Sequence, residues 1–403
     1  MKKTNLEPWI CEVEGISTLN RQELEDLQLR RLNELLLREK ARGGFYSGLP
    51  ERLHSLKELE TLPFTTPEQL AARGAGMLLV SQSKVKRIIT ESTSGTTGAA
   101  KRVFYTERDC ENTVGFFAAG LSELVFPGDG VMIAMPFSGP FGLGELIAAA
   151  IERLGGRPIK TGIGKTFGEL ERALDEEQPA AFVGMPVPLL SVLRYCGKKS
   201  LLRALVSGDA CPKSVVKEVE CILGTRIFPH YGSREMGLGG AVTCPAHEGM
   251  HLRENHVIAE IIGKDGSVLP DGEEGELCLT TIGMEAMPLI RYKTGDTARI
   301  LKEPCPCGGV TKRLDGIERI FADAISPLDD ALFTLPHLID YRAERQQRRL
   351  FIFALTDGTS CEGEIRALAG RVIPQLEIVV TERPCTASDG LCYLGKRQIV
   401  RAI

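Results

Sequence analysis

The stretch PAAFVGMPVPLLSVLRYCG, residues 179–197, contains the pattern that decides the fold of this chain. Its first part is a short apolar run typical of a buried strand, and its second part spaces apolar side chains as a helix does. The same strand-then-helix order occurs in residues 129–156 and again in residues 201–224. Such alternation predicts a mostly parallel sheet covered by helices, on which ligands bind beyond the carboxyl ends of the strands.

The pattern changes on both sides of these units. Residues 20–42 carry leucines at helical spacing and predict a long amphipathic helix. From about residue 255, short alternating runs broken by turns predict an antiparallel sheet or half-barrel, and after about residue 320 helix and strand patterns predict a small α+β unit. We therefore predict an α/β fold with a large N-terminal domain, 1–318, that includes the appended half-barrel, and a small C-terminal domain, 319–403.

The composition restricts the partners. The chain has 403 residues, of which 43% are hydrophobic, with a formal net charge of -4 and an isoelectric point near 6.0. This balance provides no global attraction to nucleic acid or to an anionic membrane. No apolar run approaches the roughly 18 residues needed to cross a bilayer, and the first residues lack a signal-peptide pattern. We therefore expect a cytoplasmic protein that acts on small molecules, without nucleic acid or membrane as a partner; a homodimer is compatible with the sequence.

The segment TSGTTGAAK, residues 93–101, combines two glycines, four hydroxyls and one cation. Many donors in such a loop can point at one anion, so phosphate is the first ligand to consider. The segment is not a Walker loop, because Gly95 and Gly98 are separated by two residues and Lys101 is followed by Arg102. A surface linker of the same composition is the alternative reading of this stretch alone.

Four motifs together carry a resemblance to a known family. TSGTTGAAK resembles the phosphate-binding loop of the adenylate-forming superfamily, which includes acyl-CoA synthetases, luciferases and peptide-synthetase adenylation domains. HYGSREMGLGG at 230–240, IRYKTGDTARI at 290–300 and GKRQIV at 395–400 follow in the superfamily's order. Within the superfamily, LQLRRLNELL, LETLPFTTPEQL, PFSGPFGLG and CPCGG are similar to the phenylacetate-CoA ligase branch.

The resemblance implies a reaction. A carboxylic acid, expected to be aryl or arylacetic, would react with ATP and Mg²⁺ to give an acyl-adenylate, and a thiol, most simply CoA, would then displace AMP. Two alternatives stay open from the sequence. One is a synthetase of the same fold that transfers an adenylyl group and never uses CoA; the other is a non-catalytic nucleotide-binding homologue. The family hinge Gly-Arg-x-Asp-Asp is matched only loosely, by Arg319 and Asp323.

The resemblance also implies roles for the residues of the nucleotide site. The loop residues that would wrap the β- and γ-phosphates are Thr93, Ser94, Gly95, Thr96, Thr97 and Gly98, with Lys101 adding a charge toward pyrophosphate. Ser207, Gly208 and Asp209 would lie beside adenine. Tyr231 and Gly232 would lie in the same region, with Tyr231 stacking on the base. Asp296 would accept from the ribose hydroxyls.

Three residues are expected to be catalytic. Glu235 would hold Mg²⁺, a hard cation that prefers carboxylate oxygen. Arg234 stands where the superfamily has Ser or Thr, and its guanidinium would contact the α-phosphate. Lys396, on a mobile C-terminal domain, would bridge the substrate carboxylate and the α-phosphate. The acid itself would lie in a flat apolar slot formed by Phe137, Phe141 and Gly142, although core packing explains the two Phe residues equally well.

A second group of residues has the composition of a metal site. Three thiols and one imidazole, from Cys244, His251, Cys305 and Cys307, would give the closed tetrahedral set of a structural Zn²⁺. His247 is a competing nitrogen ligand, and unliganded thiols in a turn are the alternative. A zinc ion here would hold the small sheet to the main body and would not activate water, because no ligand position would be open.

Overall fold

The computed structural model describes residues 3–91, 100–319 and 325–401. Within these ranges the α-helices are α1 (Leu6–Glu14), α2 (Arg21–Arg42), α3 (Pro67–Arg73), α4 (Glu107–Leu121), α5 (Leu143–Arg153), α6 (Phe167–Glu177), α7 (Pro186–Cys196), α8 (Lys213–Leu223), α9 (Ser326–Leu332) and α10 (Glu362–Val372). The strands are β1 (Val85–Glu91), β2 (Lys101–Thr106), β3 (Gly130–Ala134), β4 (Arg157–Ile159), β5 (Ala181–Gly184), β6 (Arg203–Val206), β7 (Phe228–Tyr231), β8 (Ala241–Thr243), β9 (Met250–Leu252), β10 (Val257–Ile262), β11 (Glu274–Thr281), β12 (Tyr292–Ile300), β13 (Arg313–Arg319), β14 (Leu338–Gln346), β15 (Arg349–Thr356), β16 (Glu377–Pro384) and β17 (Val400–Arg401).

The chain forms two compact units, each built from two separate segments. Unit 1 comprises Met1–Glu123 and His230–Arg319, and unit 2 comprises Leu124–Pro229 and Ile320–Ile403. The chain passes from unit 1 to unit 2 after Arg319, and the division into domains 1–318 and 319–403 stays a prediction. The independent mobility of the C-terminal domain stays a prediction.

Unit 2 contains the predicted parallel sheet. Strand β3 pairs in parallel with β4 and β5, β5 with β6, and β6 with the first two residues of β7. The helices α5 to α8 connect these strands, so the strand-then-helix pattern of the sequence is confirmed. The strands β3 and β5 are buried throughout, as expected for a sheet covered on both faces.

The C-terminal part of unit 2 is the predicted α+β element. Its sheet has the order β16-β15-β14-β17, with α9 and α10 beside it. Apolar residues of α7 and α8 share one buried core with α9 and this second sheet. Arg194 of α7 adds a polar connection, because its guanidinium donates to the carbonyls of Phe333, Leu335 and Leu338.

Unit 1 contains the predicted antiparallel sheet. The strands follow the order β10-β11-β12-β13-β9-β8, and β8 pairs with the last two residues of β7. Strands β1 and β2 form a separate antiparallel pair. Helix α1 packs on α4 through an edge-to-face contact of Trp9 with Phe116, whose ring centroids are 6.1 Å apart. Nowhere in the described residues is a helix both long and apolar enough to span a bilayer.

Candidate active site

Glu235 lies at the centre of the polar cluster in unit 1. The chain leaves β7 and forms a 3₁₀ turn, Arg234–Met236, which places the Glu235 side chain inward, where the residue is only 8% exposed. Its Oε1 accepts from Lys101 Nζ at 3.3 Å and from the Tyr292 hydroxyl at 3.0 Å. Burial would raise the pKa of Glu235, but the Lys101 charge, an amide and the Tyr292 hydroxyl outweigh it, so the pKa lies below its ordinary value. The carboxylate is therefore ionised and its direction is fixed.

The predicted catalytic Arg234 is held through its main chain. The hydroxyl of Tyr105, a fully buried residue of β2, donates to the Arg234 carbonyl. Arg234 itself is partly buried beside Glu235. The contact fixes the 3₁₀ turn to the strand that follows the predicted phosphate loop.

Gly232 is required by a close approach of the backbone. A Cβ atom at this position would lie 2.0 Å from the carbonyl oxygen of Leu238, a distance that no side chain can accept. The loop from Tyr231 to Glu235 folds back tightly on the residues after it. A glycine here therefore serves the shape of the loop, whatever its contact with a nucleotide.

Asp296 projects from β12 and is already hydrogen-bonded. Its Oδ2 accepts from the Tyr231 hydroxyl at 2.8 Å, and its Oδ1 lies 2.9 Å from Nη1 of Arg319 on the neighbouring strand. Burial raises the pKa of Tyr231, so that hydroxyl stays protonated and serves as a donor. These contacts orient the carboxylate that the sequence assigns to ribose. Stacking of Tyr231 on adenine stays a prediction.

The predicted phosphate loop falls outside the described residues. The undescribed segment contains the predicted phosphate-binding residues Thr93, Ser94, Gly95, Thr96, Thr97 and Gly98. Asp323 of the loosely matched hinge also lies outside the described residues, in a second segment. The structure does describe the residues on either side of the loop, where Glu91 of β1 is paired with Lys101 of β2. The predicted pyrophosphate cation, Lys101, is therefore fixed at the start of β2 and contacts Glu235.

The predicted adenine wall and the C-terminal lysine lie in unit 2. Ser207, Gly208 and Asp209 follow β6, at the carboxyl edge of the parallel sheet, and Gly208 has a φ of 87°, which favours glycine. Lys396 is exposed, whereas its neighbour Arg397 is buried. The main-chain N–H of Arg397 donates to Asp209 Oδ2 at 2.8 Å, so the segment that contains Lys396 touches the predicted adenine wall.

The predicted acid slot also lies in unit 2, after β3. Phe141 has a φ of 63°, an unfavourable backbone conformation for a bulky residue, and such strain is found most often at functional sites. The Phe137 ring packs over Gly144, where a Cβ would lie 2.8 Å from the ring. An apolar cavity in this unit is lined by other residues, including Ala134, Met185 and Tyr393. Assignment of the acid to Phe137, Phe141 and Gly142 stays a prediction.

A closed cysteine–histidine cluster lies in unit 1. The ligand atoms of Cys244, His251, Cys305 and Cys307 are all buried and lie within 4.8 Å of one another. The sulfurs of Cys244 and Cys305 are 3.6 Å apart, and Cys307 Sγ is 3.5 Å from His251 Nε2. Atoms bound to one tetrahedral zinc at about 2.3 Å lie about 3.8 Å apart, so the four residues fit the ion. His251, and not His247, belongs to this cluster.

The surroundings of His251 also suit a metal. Burial lowers the pKa of His251 to about 4, so the imidazole is neutral. Its Nδ1 lies 2.7 Å from the Thr311 hydroxyl, which is 3.4 Å from Oε1 of Glu7. The same Glu7 oxygen accepts from the main-chain N–H groups of Val310 and Thr311. A proton on Nδ1 leaves Nε2 free to bind a cation, which is the usual arrangement for a ligating histidine.

The sequence analysis assigns no site role to two residues of the polar cluster, or to Glu7, which supports the metal cluster through Thr311. Tyr292 stands inside the quoted motif IRYKTGD, four positions before Asp296, and only the fold brings its hydroxyl to Glu235. The sequence predicts only a hinge role for Arg319, although its guanidinium pairs with Asp296 on the neighbouring strand. Glu7 carries no sequence signal for this role, since Val310 and Thr311, which connect it to the metal cluster, are about 300 residues away.

Comparisons with known proteins agree with these features. The family described as AMP-binding enzyme matches residues 92–286. The phenylacetate-coenzyme A ligase of Escherichia coli (strain K12) is 31% identical over 312 residues, which cover 72% of this chain and 70% of that enzyme. The enzyme of the same name from Aromatoleum evansii is 32% identical over 311 residues, which cover 72% of this chain and 69% of that enzyme.

The fold likeness extends over nearly the whole chain. A crystal structure of 2-hydroxyisobutyryl-CoA ligase in the postadenylation state matches with a TM-score of 0.78 at 20% identity, and the match covers 96% of this chain and 91% of that one. The four motifs, the arrangement of their described residues and the identity to curated relatives thus agree, and the chain belongs to the adenylate-forming superfamily, in its phenylacetate-CoA ligase-like branch.

Proposed function

We propose that the chain is an ATP-dependent carboxylic acid–CoA ligase that forms AMP and pyrophosphate. The observation that carries the proposal is the buried Glu235 carboxylate, which is kept ionised and oriented by Tyr292 and by Lys101, the last residue of the segment with the phosphate-loop pattern. A buried acid held in this way, with a cation beside it, suits a site that handles polyphosphate and Mg²⁺.

The reaction has two steps. A carboxylate oxygen of the acid attacks the α-phosphorus of ATP, and the bond from that phosphorus to the pyrophosphate oxygen breaks. The sulfur of CoA then attacks the acyl carbon, the bond to the AMP oxygen breaks, and the thiol loses its proton. Both reactants of the first step are anionic, so this step needs fixed positive charge most.

Side chains from the predicted motifs would supply this positive charge and orient the nucleotide. Glu235 would hold Mg²⁺, which neutralises phosphate charge when bound. Lys101 would neutralise charge on the departing pyrophosphate. Asp296, which Tyr231 and Arg319 orient, would accept hydrogen bonds from the ribose hydroxyls. We assign Arg234 to the α-phosphate and Lys396 to the charge between acid and phosphate.

The acid is proposed to be aryl or arylacetic. The curated relatives are named phenylacetate-coenzyme A ligases, and the strained turn at Phe141 supports a specialised loop after β3. A panel of aryl, arylacetic and short aliphatic acids, assayed for acid-dependent pyrophosphate release with and without CoA, tests the proposal. Release with acyl-CoA formation supports it; adenylyl transfer to another acceptor, or no release with any acid, supports one of the two alternatives. Light scattering of the purified protein tests whether it forms the homodimer with which the sequence is compatible.

Replacing Glu235 with Gln should slow Mg²⁺-dependent adenylation at least tenfold and raise the Mg²⁺ concentration needed for half-maximal rate, because a neutral amide is a poor ligand for a hard cation. ATP–pyrophosphate exchange over a Mg²⁺ titration measures both effects. Glu285→Gln is the matched control, since it neutralises another carboxylate of unit 1, one that accepts from Thr106 at 2.8 Å. Equal exchange rates in wild type and Glu235→Gln would exclude the role.

We also propose that Cys244, His251, Cys305 and Cys307 hold a structural Zn²⁺. The sulfur–sulfur and sulfur–nitrogen distances, the buried position and the neutral His251 support this assignment. The ion would supply folding free energy and would take no part in the reaction.

A further inference from the structure

Arg397, the residue after Lys396, is buried and held by several contacts. It is 5% exposed, and its guanidinium donates to both Asp329 oxygens at 2.9–3.2 Å, to Asp340 Oδ1 at 3.0 Å and to the Tyr341 carbonyl at 3.2 Å. Three aromatic rings lie 4.7–5.5 Å from the same group: Tyr393, Tyr341 and Phe333. A buried cation with this many partners cannot leave them without exposing unpaired charge.

The main chain of Arg397 has a separate anchor. Its N–H donates to Asp209 Oδ2 at 2.8 Å, while Asp209 Oδ1 accepts from the Ala210 N–H at 2.9 Å. Asp209 therefore belongs both to the predicted adenine wall and to the support of the C-terminal segment. The peptide nitrogen that it binds is joined directly to the carbonyl carbon of Lys396.

The two anchors differ in what they fix. Asp329, Asp340, Tyr341 and Arg397 all belong to the C-terminal segment of unit 2, so their contacts can be kept if that segment moves as a body. Asp209 lies in the other segment of the unit, so its bond exists only while residues 395–397 lie against the loop after β6.

We propose that Asp209 is a positioning residue for Lys396 in the adenylation step, and this rests on the proposed function. The carboxylate fixes the backbone from which the Lys396 side chain extends, so the directions open to the cation are restricted before the acid and ATP bind. Orientation provided in advance lowers the barrier of the step that uses it. The thioester step, which uses another orientation of the C-terminal domain in this scheme, does not depend on the bond.

Replacing Asp209 with Ala should lower the kcat of acid-dependent ATP–pyrophosphate exchange about tenfold, the loss expected for one hydrogen bond to a charged group. The KM for ATP should stay within about twofold, because the residue acts on Lys396; a mainly adenine-binding role would instead raise KM. Asp209→Asn should recover most of the rate, since its carbonyl oxygen can accept from Arg397. Conversion of supplied acyl-adenylate to acyl-CoA should keep its rate.

Asp330→Ala is the matched control. Asp330 Oδ1 accepts from the Ser214 main-chain N–H at 2.7 Å, so it makes the same kind of bond between the same two segments, but with Ser214 as the donor in place of Arg397. Equal losses in Asp209→Ala and Asp330→Ala would overturn the proposal. In a Lys396→Ala background, Asp209→Ala should cause no further loss of exchange; an additional tenfold loss would mean that Asp209 acts independently of the lysine.

Hydrogen exchange separates failure of the anchor from failure of the function. The Arg397 amide should exchange at least tenfold faster in Asp209→Ala than in wild type, with no need for substrate. An unchanged exchange rate overturns the anchor. A wild-type protein that gives no pyrophosphate exchange with any acid contradicts the proposed function instead.

Discussion

Replacing Lys396 with Ala should slow acyl-adenylate formation by roughly a hundredfold to a thousandfold, by analogy with the removal of one preorganised donor from a site of developing charge. The acid and the α-phosphate are both anionic, and a cation between them gains strength as the new bond forms and water leaves. Acid-dependent ATP–pyrophosphate exchange measures this step directly. Supplied acyl-adenylate should still be converted to acyl-CoA at near the original rate.

Lys217→Ala is the control for this experiment, since Lys217 is an exposed lysine on α8 in the same unit. It should leave both half-reactions unchanged. Equal loss of both half-reactions in Lys396→Ala would indicate a damaged C-terminal domain. No loss in either would mean that Lys396 is only a solvated surface lysine.

Removing zinc should destabilise the protein by on the order of 4 kcal/mol, because the free energy of binding a structural metal is part of the folding free energy. For a unit of about this size such a loss lowers the melting temperature by roughly 10 °C. Elemental analysis of the purified protein should give one zinc per chain. Chelation under mildly denaturing conditions, followed by thermal unfolding, measures the loss.

Cys305→Ser should reproduce the effect without a chelator, because a serine hydroxyl is a poor ligand for zinc. Cys221→Ser is the matched control, since Cys221 is exposed and lies outside the cluster. A purified protein without zinc, or a melting temperature that the chelator leaves unchanged, would contradict the metal assignment.

The elements of the fold could be predicted because local patterns determine them. The alternation of apolar strands and amphipathic helices in residues 129–224 is visible in a short window, and the parallel sheet follows from it. The grouping of segments could not be predicted in this way. The shared core of α7, α8 and the C-terminal residues depends on contacts between chain segments more than 100 residues apart, such as Arg194 with Phe333.

The candidate site shows the same division. Glu235, Asp296 and the four metal-cluster residues could be named as candidates because their motifs are contiguous or chemically distinctive. The residues that contact them could not be predicted, because tyrosine and arginine occur in many structural roles. Only the fold brings Tyr292 to Glu235 and Arg319 to Asp296. The motif predicts that Asp209 lies beside adenine, while the structure shows its carboxylate accepting from the main-chain N–H of Arg397.

The contact of Glu7 with Thr311 has a consequence for the order of events during protein synthesis. The two residues are 304 positions apart, and a ribosome that adds about 5–20 residues per second needs roughly 15–60 s to cover that distance. Glu7 is 2% exposed in the folded chain and must stay solvated for that time. Helix α1 therefore cannot finish docking until the nascent chain includes Thr311. Synthesis of the chain through β13, and not emergence of its first helix, therefore sets the earliest moment at which unit 1 can close.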